Sequence, residues 1–220
     1  MLIASRSVGK MRELLPLLGD VGVRAASLLD IGLVETDEER ALESFDTFEE
    51  NALAKARYVA RLFPGQVVFA DDSGLEVLAL DRRPGVRSKR WAGVSEVDGA
   101  ALLDAANNAH LLVELAQAER AGRTDRSARY VCAAACVWRD QSFTARGVTE
   151  GRIIDAPSGD LGFGYDPYFY STELGDTFGR VESGQKSSVS HRGRAFRALM
   201  ALLRGHEAIA ANLFGPVDPR

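Results

Sequence analysis

The sequence predicts an α/β protein built on a mixed β-sheet flanked by helices. Three observations carry this. Segments with apolar residues at helical spacing alternate with short apolar runs of the kind that form strands. One pair of strand-like segments is joined closely enough to be a hairpin, so part of the sheet is antiparallel. No internal repeat emerges, and 220 residues with 46% apolar and 26% charged content sit inside the globular range. A chain of this length buries roughly 70% of its unfolded surface, so it needs neither disulfide nor metal to fold.

The elements follow in order. A short apolar strand, Leu2 to Ala4, leads into a polar turn ending in Gly9-Lys10. Met11, Leu14, Leu15 and Leu18 then recur at helical spacing, so a helix begins near that turn, which Pro16 should kink or shorten. A stronger helix starts at Thr47. Thr47-Phe-Glu-Glu50 fits a capping box, and Phe48, Ala52, Ala56, Val59, Ala60 and Phe63 make one apolar face. Pro64-Gly65 stops it. Val67 to Ala70 reads as a strand buried on both faces, ending abruptly in Asp71-Asp72-Ser73-Gly74. A helix is expected from about Val97 to Glu119, then a hairpin of Arg129–Trp138 and Ser142–Val148 around Arg139-Asp140-Gln141. A glycine-rich loop from Ser158 to Gly164 runs into Tyr165-Asp166-Pro167. The last clear helix carries Phe196, Leu199, Met200 and Leu203 and stops near Gly205. Residues 1–204 thus read as one domain and 205–220 as a weakly patterned C-terminal tail.

Charge and composition narrow the function classes. The 27 basic and 31 acidic residues leave a net charge of −4, which argues against duplex nucleic acid as a partner. No apolar run approaches ~18 residues, so no spanning helix is expected. Met1 to Arg6 turns polar too soon for a signal peptide, and the expectation is a cytoplasmic protein with no membrane partner. Cys132 and Cys136 lie four apart in a strand-like segment, a span of ~13 Å against the ~7 Å limit for a disulfide, so both read as core thiols. Charge is clustered: eight carboxylates lie between Glu35 and Glu50 against Arg40 alone, and five basic residues between Arg82 and Arg90. Taken singly each cluster suits a solvated face; converging, they would suit a metal-bound polyanion.

Four places could carry chemistry. Adjacent acids after a buried strand, Asp71-Asp72, are costly unless charge meets them, although a simple turn cap would look similar. Successive strand residues point opposite ways, so one carboxylate can face a site while the other braces a turn. The turn Ser5-Arg-Ser-Val-Gly-Lys10 offers backbone N–H groups, a helix N-terminus and a lysine to phosphate. It is not a Walker A loop, since Ala4 stands where the first glycine belongs and Met11 replaces the Ser/Thr. Phe163-Gly-Tyr-Asp166 is either a tight turn or a platform on which Phe163 or Tyr165 stacks a base. Lys186, His191 and Arg192 stand before a helix that Ser190 could cap.

Six segments in order make the chain specific: Ser-x-x-x-Gly-Lys, Thr-Phe-x-x-Asn-Ala, Ala-Asp-Asp-Ser-Gly-Leu, Pro-Gly-Val-x-Ser-x-Arg-Trp-Ala-Gly, Gly-Phe-Gly-Tyr-Asp-Pro and Lys-Ser-x-x-Ser-His-Arg. From about Leu2 to Leu203 they resemble the inosine/xanthosine triphosphate pyrophosphatase family. The resemblance implies a two-lobed α/β fold with a long central sheet, an active-site cleft between the lobes, a homodimer and a Mg2+ requirement. By position, Ser5, Arg6, Ser7, Val8, Gly9 and Lys10 match the triphosphate turn, and Lys55 a phosphate-reaching lysine. Glu43 and Asp72 match the magnesium carboxylates, with Asp72 also the proton acceptor and Ser73 a substrate contact. Phe163, Gly164, Tyr165, Asp166, Lys186, His191 and Arg192 match the nucleoside contacts. The family usually has Asn where Ser7 stands, which loses an amide's reach, and Glu39 is an alternative to Glu43.

The implied reaction is attack of water on the α-phosphorus of ITP, dITP or XTP, releasing pyrophosphate and a nucleoside monophosphate. His191 and Arg192 would offer N–H donors to the 6-oxygen of a deaminated purine, opposed to the amino group of adenine. The alternatives are a pyrophosphatase for other modified nucleotides and a nucleotide sensor with weak turnover.

Overall fold

Unbroken apolar character from Val67 to Ala70 demands a strand covered on both faces, and all four residues are buried. A computed structural model describes residues 1–94 and 99–215. Among these, β1 (Leu2–Ile3), β2 (Ala26–Ser27), β3 (Val68–Val77), β4 (Ser127–Trp138), β5 (Gln141–Ile153), β6 (Phe169–Ser171) and β7 (Asp176–Thr177) form one sheet of order β2-β1-β3-β4-β5-β6-β7. β1 runs parallel to β2 and β3, with Ile3 opposite Phe69, while β6 is antiparallel to β5 and β7. The sheet is mixed.

The helices are α1 (Val8–Gly19), α2 (Asp37–Arg40), α3 (Phe48–Leu62), α4 (Ala100–Arg120), α5 (Ser183–Val189), α6 (His191–Arg204) and α7 (Glu207–Phe214). Pro16 does not shorten α1, which runs past it to Gly19 with Pro16 exposed. An interior proline costs ~3 kcal/mol; burying Leu14 and Leu18 on the opposite face returns about 1.5–3 kcal/mol each. At α3, Thr47 Oγ1 accepts the Glu50 N–H at 3.2 Å and donates to Glu50 Oε2 at 2.6 Å. Glu50 therefore closes the cap on the threonine hydroxyl rather than on its backbone N–H. The hairpin turns through Arg139-Asp140, with Arg139 at φ +56.

Three expectations are corrected. β3 does not end at the acidic pair but continues through Asp71 and Asp72 to Val77, because buried cations neutralise the carboxylates within the strand. The weakly patterned tail carries a packed helix at residues 207–214: Ile209 and Leu213 of α7 are buried in a core cluster with Leu199 and Leu203. The segment carrying Lys186 is itself helical, as α5. The expected start of α4 at Val97 lies outside the described residues.

The chain divides into two compact units. Unit 1 comprises Met1–Asp72, Cys132–Gly147 and Arg192–Arg220; unit 2 comprises Ser73–Val131 and Val148–His191. The core of unit 1 gathers Ile3, Leu14, Leu18, Phe69, Phe196 and Leu199 with both cysteines, which are free thiols. The core of unit 2 gathers Leu75, Leu80, Leu111, Leu115, Phe169 and Phe178. Among the described residues no helix is long and apolar enough to cross a membrane.

Candidate active site

In unit 1, strand alternation separates the two aspartates and gives them different partners. Asp71 is fully buried; its Oδ2 lies 3.0 Å from Lys10 Nζ and 3.1 Å from Arg192 Nε, and accepts weakly from the Cys132 thiol at 3.9 Å. Lys10 Nζ also donates to the Asp71 carbonyl at 3.3 Å, and Arg192 reaches on to Glu13. Burial alone would raise the Asp71 carboxyl, but Lys10 and Arg192 outweigh it and hold it well below the ordinary carboxylate range. Asp71 stays ionised.

Asp72 is treated differently. Asn51 of α3 donates to its Oδ2 at 3.1 Å, and Lys55, one turn further along α3, donates to its Oδ1 at 3.2 Å. Lys55 also donates to Glu43 Oε1 at 2.8 Å. Desolvation raises the Asp72 carboxyl, and the opposing pull of Lys55 and Lys10 does not cancel it. Burial works against the charge on Lys55, yet Asp72 and Glu43 outweigh that and lift it above the ordinary lysine range. Neighbouring carboxyls pushed in opposite directions can serve as one fixed charge and one base.

Glu43 and Asp72 converge on a single ammonium, while Glu39 does not. Arg6 takes both Glu39 oxygens at 2.7 Å and donates to the Leu33 carbonyl. That separates the two candidate ligands. Among the described residues no group of three or more His, Cys, Asp or Glu could hold a metal, so an all-protein cage is not what this site offers. Two oxygen donors already gathered around one positive charge do fit a hard divalent cation shared with substrate phosphates and water.

The N-terminal turn is ordered by its own hydroxyls. Ser5 Oγ accepts the Ser7 N–H at 3.2 Å, and Ser7 caps α1 by accepting the Lys10 N–H at 3.3 Å. Val8 and Gly9 open the helix, with Val8 exposed. The Ser7 hydroxyl is thus used for capping. Of the acidic cluster, Glu43 shares Lys55 with Asp72; Glu38 pairs with Arg61, and Glu35 and Asp37 with Arg40.

In unit 2 the glycine-rich loop is held by Asp166, whose Oδ2 accepts the Phe163 N–H at 2.8 Å and lies 2.5 Å from Lys186 Nζ. Lys186 Nζ is 5.1 Å from the Phe163 ring centroid. Gly162 is required here: at φ +78 a Cβ would stand 2.1 Å from Asp166 Oδ2. Ser73, half-buried, follows Asp72 in β3.

Four residues expected from the sequence as nucleoside contacts are buried. Tyr165 is 4% exposed with its hydroxyl donating to the Ser88 carbonyl at 2.8 Å, so its ring belongs to the unit 2 core. His191 is buried and stacks on Tyr130 at 4.6 Å and 11°. Lys186 is buried against Asp166, and Arg192, 2% exposed, against Asp71 and Glu13. Each cation found an internal carboxylate, as a buried charge must. Sequence reasoning missed Asn51 and Glu13 as site residues. Asn51 stood inside a quoted motif, and Glu13 lies one turn after Lys10, but a lone amide or acid on a helix carries no signal until its partner is known.

The chain resembles known proteins over most of its length. Residues 1–202 match the model of the Ham1 family. The chain is 45% identical over 204 residues to a dITP/XTP pyrophosphatase of an Exiguobacterium species, covering 91% of this chain and 95% of that protein. It is 42% identical over 205 residues to the dITP/XTP pyrophosphatase of Ralstonia nicotianae, covering 92% and 95%. Among solved structures, a HAM1 protein from Coxiella burnetii superposes with a TM-score of 0.76 at 33% identity, over 93% of this chain and 98% of that one.

Proposed function

This chain belongs to the Ham1 family, and on that premise we propose that it hydrolyses deaminated purine nucleoside triphosphates (dITP, ITP and XTP) to the monophosphate and pyrophosphate. The observation that carries the chemistry is Asp72: a buried carboxyl raised by desolvation, aimed by Asn51 and sharing Lys55 with Glu43. Asp72 accepts the proton of the attacking water. Asn51 keeps Oδ2 occupied, so the proton-accepting geometry is set before substrate arrives. Glu43 and Asp72 hold a magnesium ion, which when bound supplies charge neutralisation on the phosphates. Lys10, Lys55 and the Ser5–Val8–Gly9 turn with Arg6 and Ser7 bind phosphate oxygens, and Ser73 a further substrate oxygen. The purine meets Phe163 and Gly164. Tyr165, Asp166, Lys186, His191 and Arg192 are fixed by the buried contacts described above.

Incubation with ITP and Mg2+ tests this reading. The expected products are IMP and one pyrophosphate per turnover. Release of orthophosphate with IDP, or no turnover, overturns it. The protein is further proposed to act in the cytoplasm as a homodimer, for which the exposed Arg87, Lys89 and Arg90 beside half-buried Trp91 are suitable interface residues. A monomer mass by light scattering at micromolar concentration would exclude the dimer.

A further inference from the structure

Two side chains one turn apart on α4 grip the same residue of the base-facing loop. Asp104 Oδ2 accepts the Gly164 N–H at 2.8 Å, and Asn108 Nδ2 donates to the Gly164 carbonyl at 3.0 Å. These two groups belong to the successive peptide planes on either side of Gly164. Because the peptides are planar and trans, the Phe163 carbonyl and the Tyr165 N–H in the same planes are fixed in direction as well. Gly164 sits at φ +63 with open space where a Cβ would be, so nothing in its own covalent structure stops either plane from flipping. The restraint comes from α4.

A second observation points to a use beyond packing. Asn108 Oδ1 is buried with no hydrogen-bond partner among the described residues. Burying an unsatisfied amide oxygen lowers stability, and here it accompanies the Nδ2 donor that the Gly164 carbonyl uses. Asn108 is worth that penalty if the direction of the Gly164 carbonyl matters. It matters most where a 6-oxo purine must be told from a 6-amino purine, because a peptide free to flip offers an acceptor as readily as a donor and would suit both bases.

We propose that Asp104 and Asn108 are positioning residues for base selection, locking the peptide planes around Gly164 so that the loop presents one hydrogen-bonding polarity to the purine. This rests on the purine triphosphate reading above. Neither residue touches the reacting atoms.

The experiment measures kcat and KM for ITP and ATP with Mg2+ in the wild type and in Asn108→Ala, Asp104→Leu and Asp104→Asn, with thermal melting followed by circular dichroism. In Asn108→Ala and Asp104→Leu, the ITP-over-ATP ratio of kcat/KM is expected to fall at least ~10-fold, mainly through a higher KM for ITP. Asp104→Asn retains an oxygen acceptor for the Gly164 N–H, and its ratio should stay within about threefold of wild type. An unchanged ratio, or equal losses on both nucleotides, makes the pair structural and overturns the inference. Should Asp104→Leu fail to fold, the ratio in Asn108→Ala decides alone. A wild type that releases no pyrophosphate from ITP overturns the activity reading itself, whereas an active wild type with insensitive variants overturns only the positioning role.

Discussion

Asp71 and Asp72 share a strand, a sequence neighbourhood and a burial class, yet their surroundings drive their carboxyls apart. Asp72→Asn keeps the shape and loses the base, so turnover of ITP should fall at least ~10²-fold in a protein that melts normally. Near-normal turnover would remove Asp72 from the reaction. Glu43→Gln should raise the Mg2+ concentration for half-maximal rate at least ~10-fold, whereas Glu39→Gln, whose charge is spent on Arg6, should shift it little; the reverse pattern would make Glu39 the ligand. Arg192→Ala strands Asp71 and Glu13, and breaking a buried ion pair costs about 3–5 kcal/mol. The expected readout is a much lower urea midpoint with the preference for ITP over ATP retained in the folded fraction. Loss of that preference at unchanged stability would return Arg192 to direct base reading.

At the scale of elements, two pieces matter, one in each unit: α3, and a loop that cannot tolerate a side chain. α3 brings Asn51 and Lys55 to Asp72 because residues four apart share a face. The unit 2 loop needs Gly162, where an added Cβ collides with Asp166 Oδ2 and the backbone lies in the left-handed region. Gly162→Ala should cost about 1–3 kcal/mol from backbone strain and displace Asp166 from the Phe163 N–H. KM for ITP then rises more than kcat falls. Unaltered KM with unaltered melting would show that the loop has room to adjust.

The whole molecule carries its thiols in a dry core, with consequences for alkaline stability. Burial pushes the Cys136 thiol up to about 12, while in the unfolded chain it titrates near ~8.5. Above that value the unfolded state sheds a proton that the folded state keeps, so stability falls as pH rises, by about 1.4 kcal/mol per unit until the folded thiol ionises. Urea unfolding at pH 8 and pH 10 should show wild type losing about 2 kcal/mol more than Cys136→Val over that interval. Equal losses would mean that Cys136 is accessible to water in the native protein.

What the sequence determined by itself is what repeats locally or is chemically unusual. Apolar spacing placed α3 and α6, the Arg139-Asp140 turn marked the hairpin, and an acidic pair after Val67–Ala70 marked the candidate site. These signals need no distant partner. The tertiary structure decided everything that turns on which charge meets which. β3 runs on through Asp71 and Asp72 because Lys10, Arg192 and Lys55, from 17 to 121 residues away, arrive to neutralise them. Glu43 rather than Glu39 joins Asp72 because Arg6 captures Glu39 first. His191 and Arg192, adjacent in the chain, part company, one stacking on Tyr130 in unit 2 and the other pairing with Asp71 in unit 1. α7 escaped notice because eight residues with only Ile209, Leu213 and Phe214 as large apolar side chains give too short a periodic signal, and Ile209 and Leu213 pack in the cluster that holds Leu203. Residue type limits which partners a side chain accepts, but long-range proximity selects among them, and the desolvation that converts such proximity into a shifted proton affinity exists only once the chain has folded.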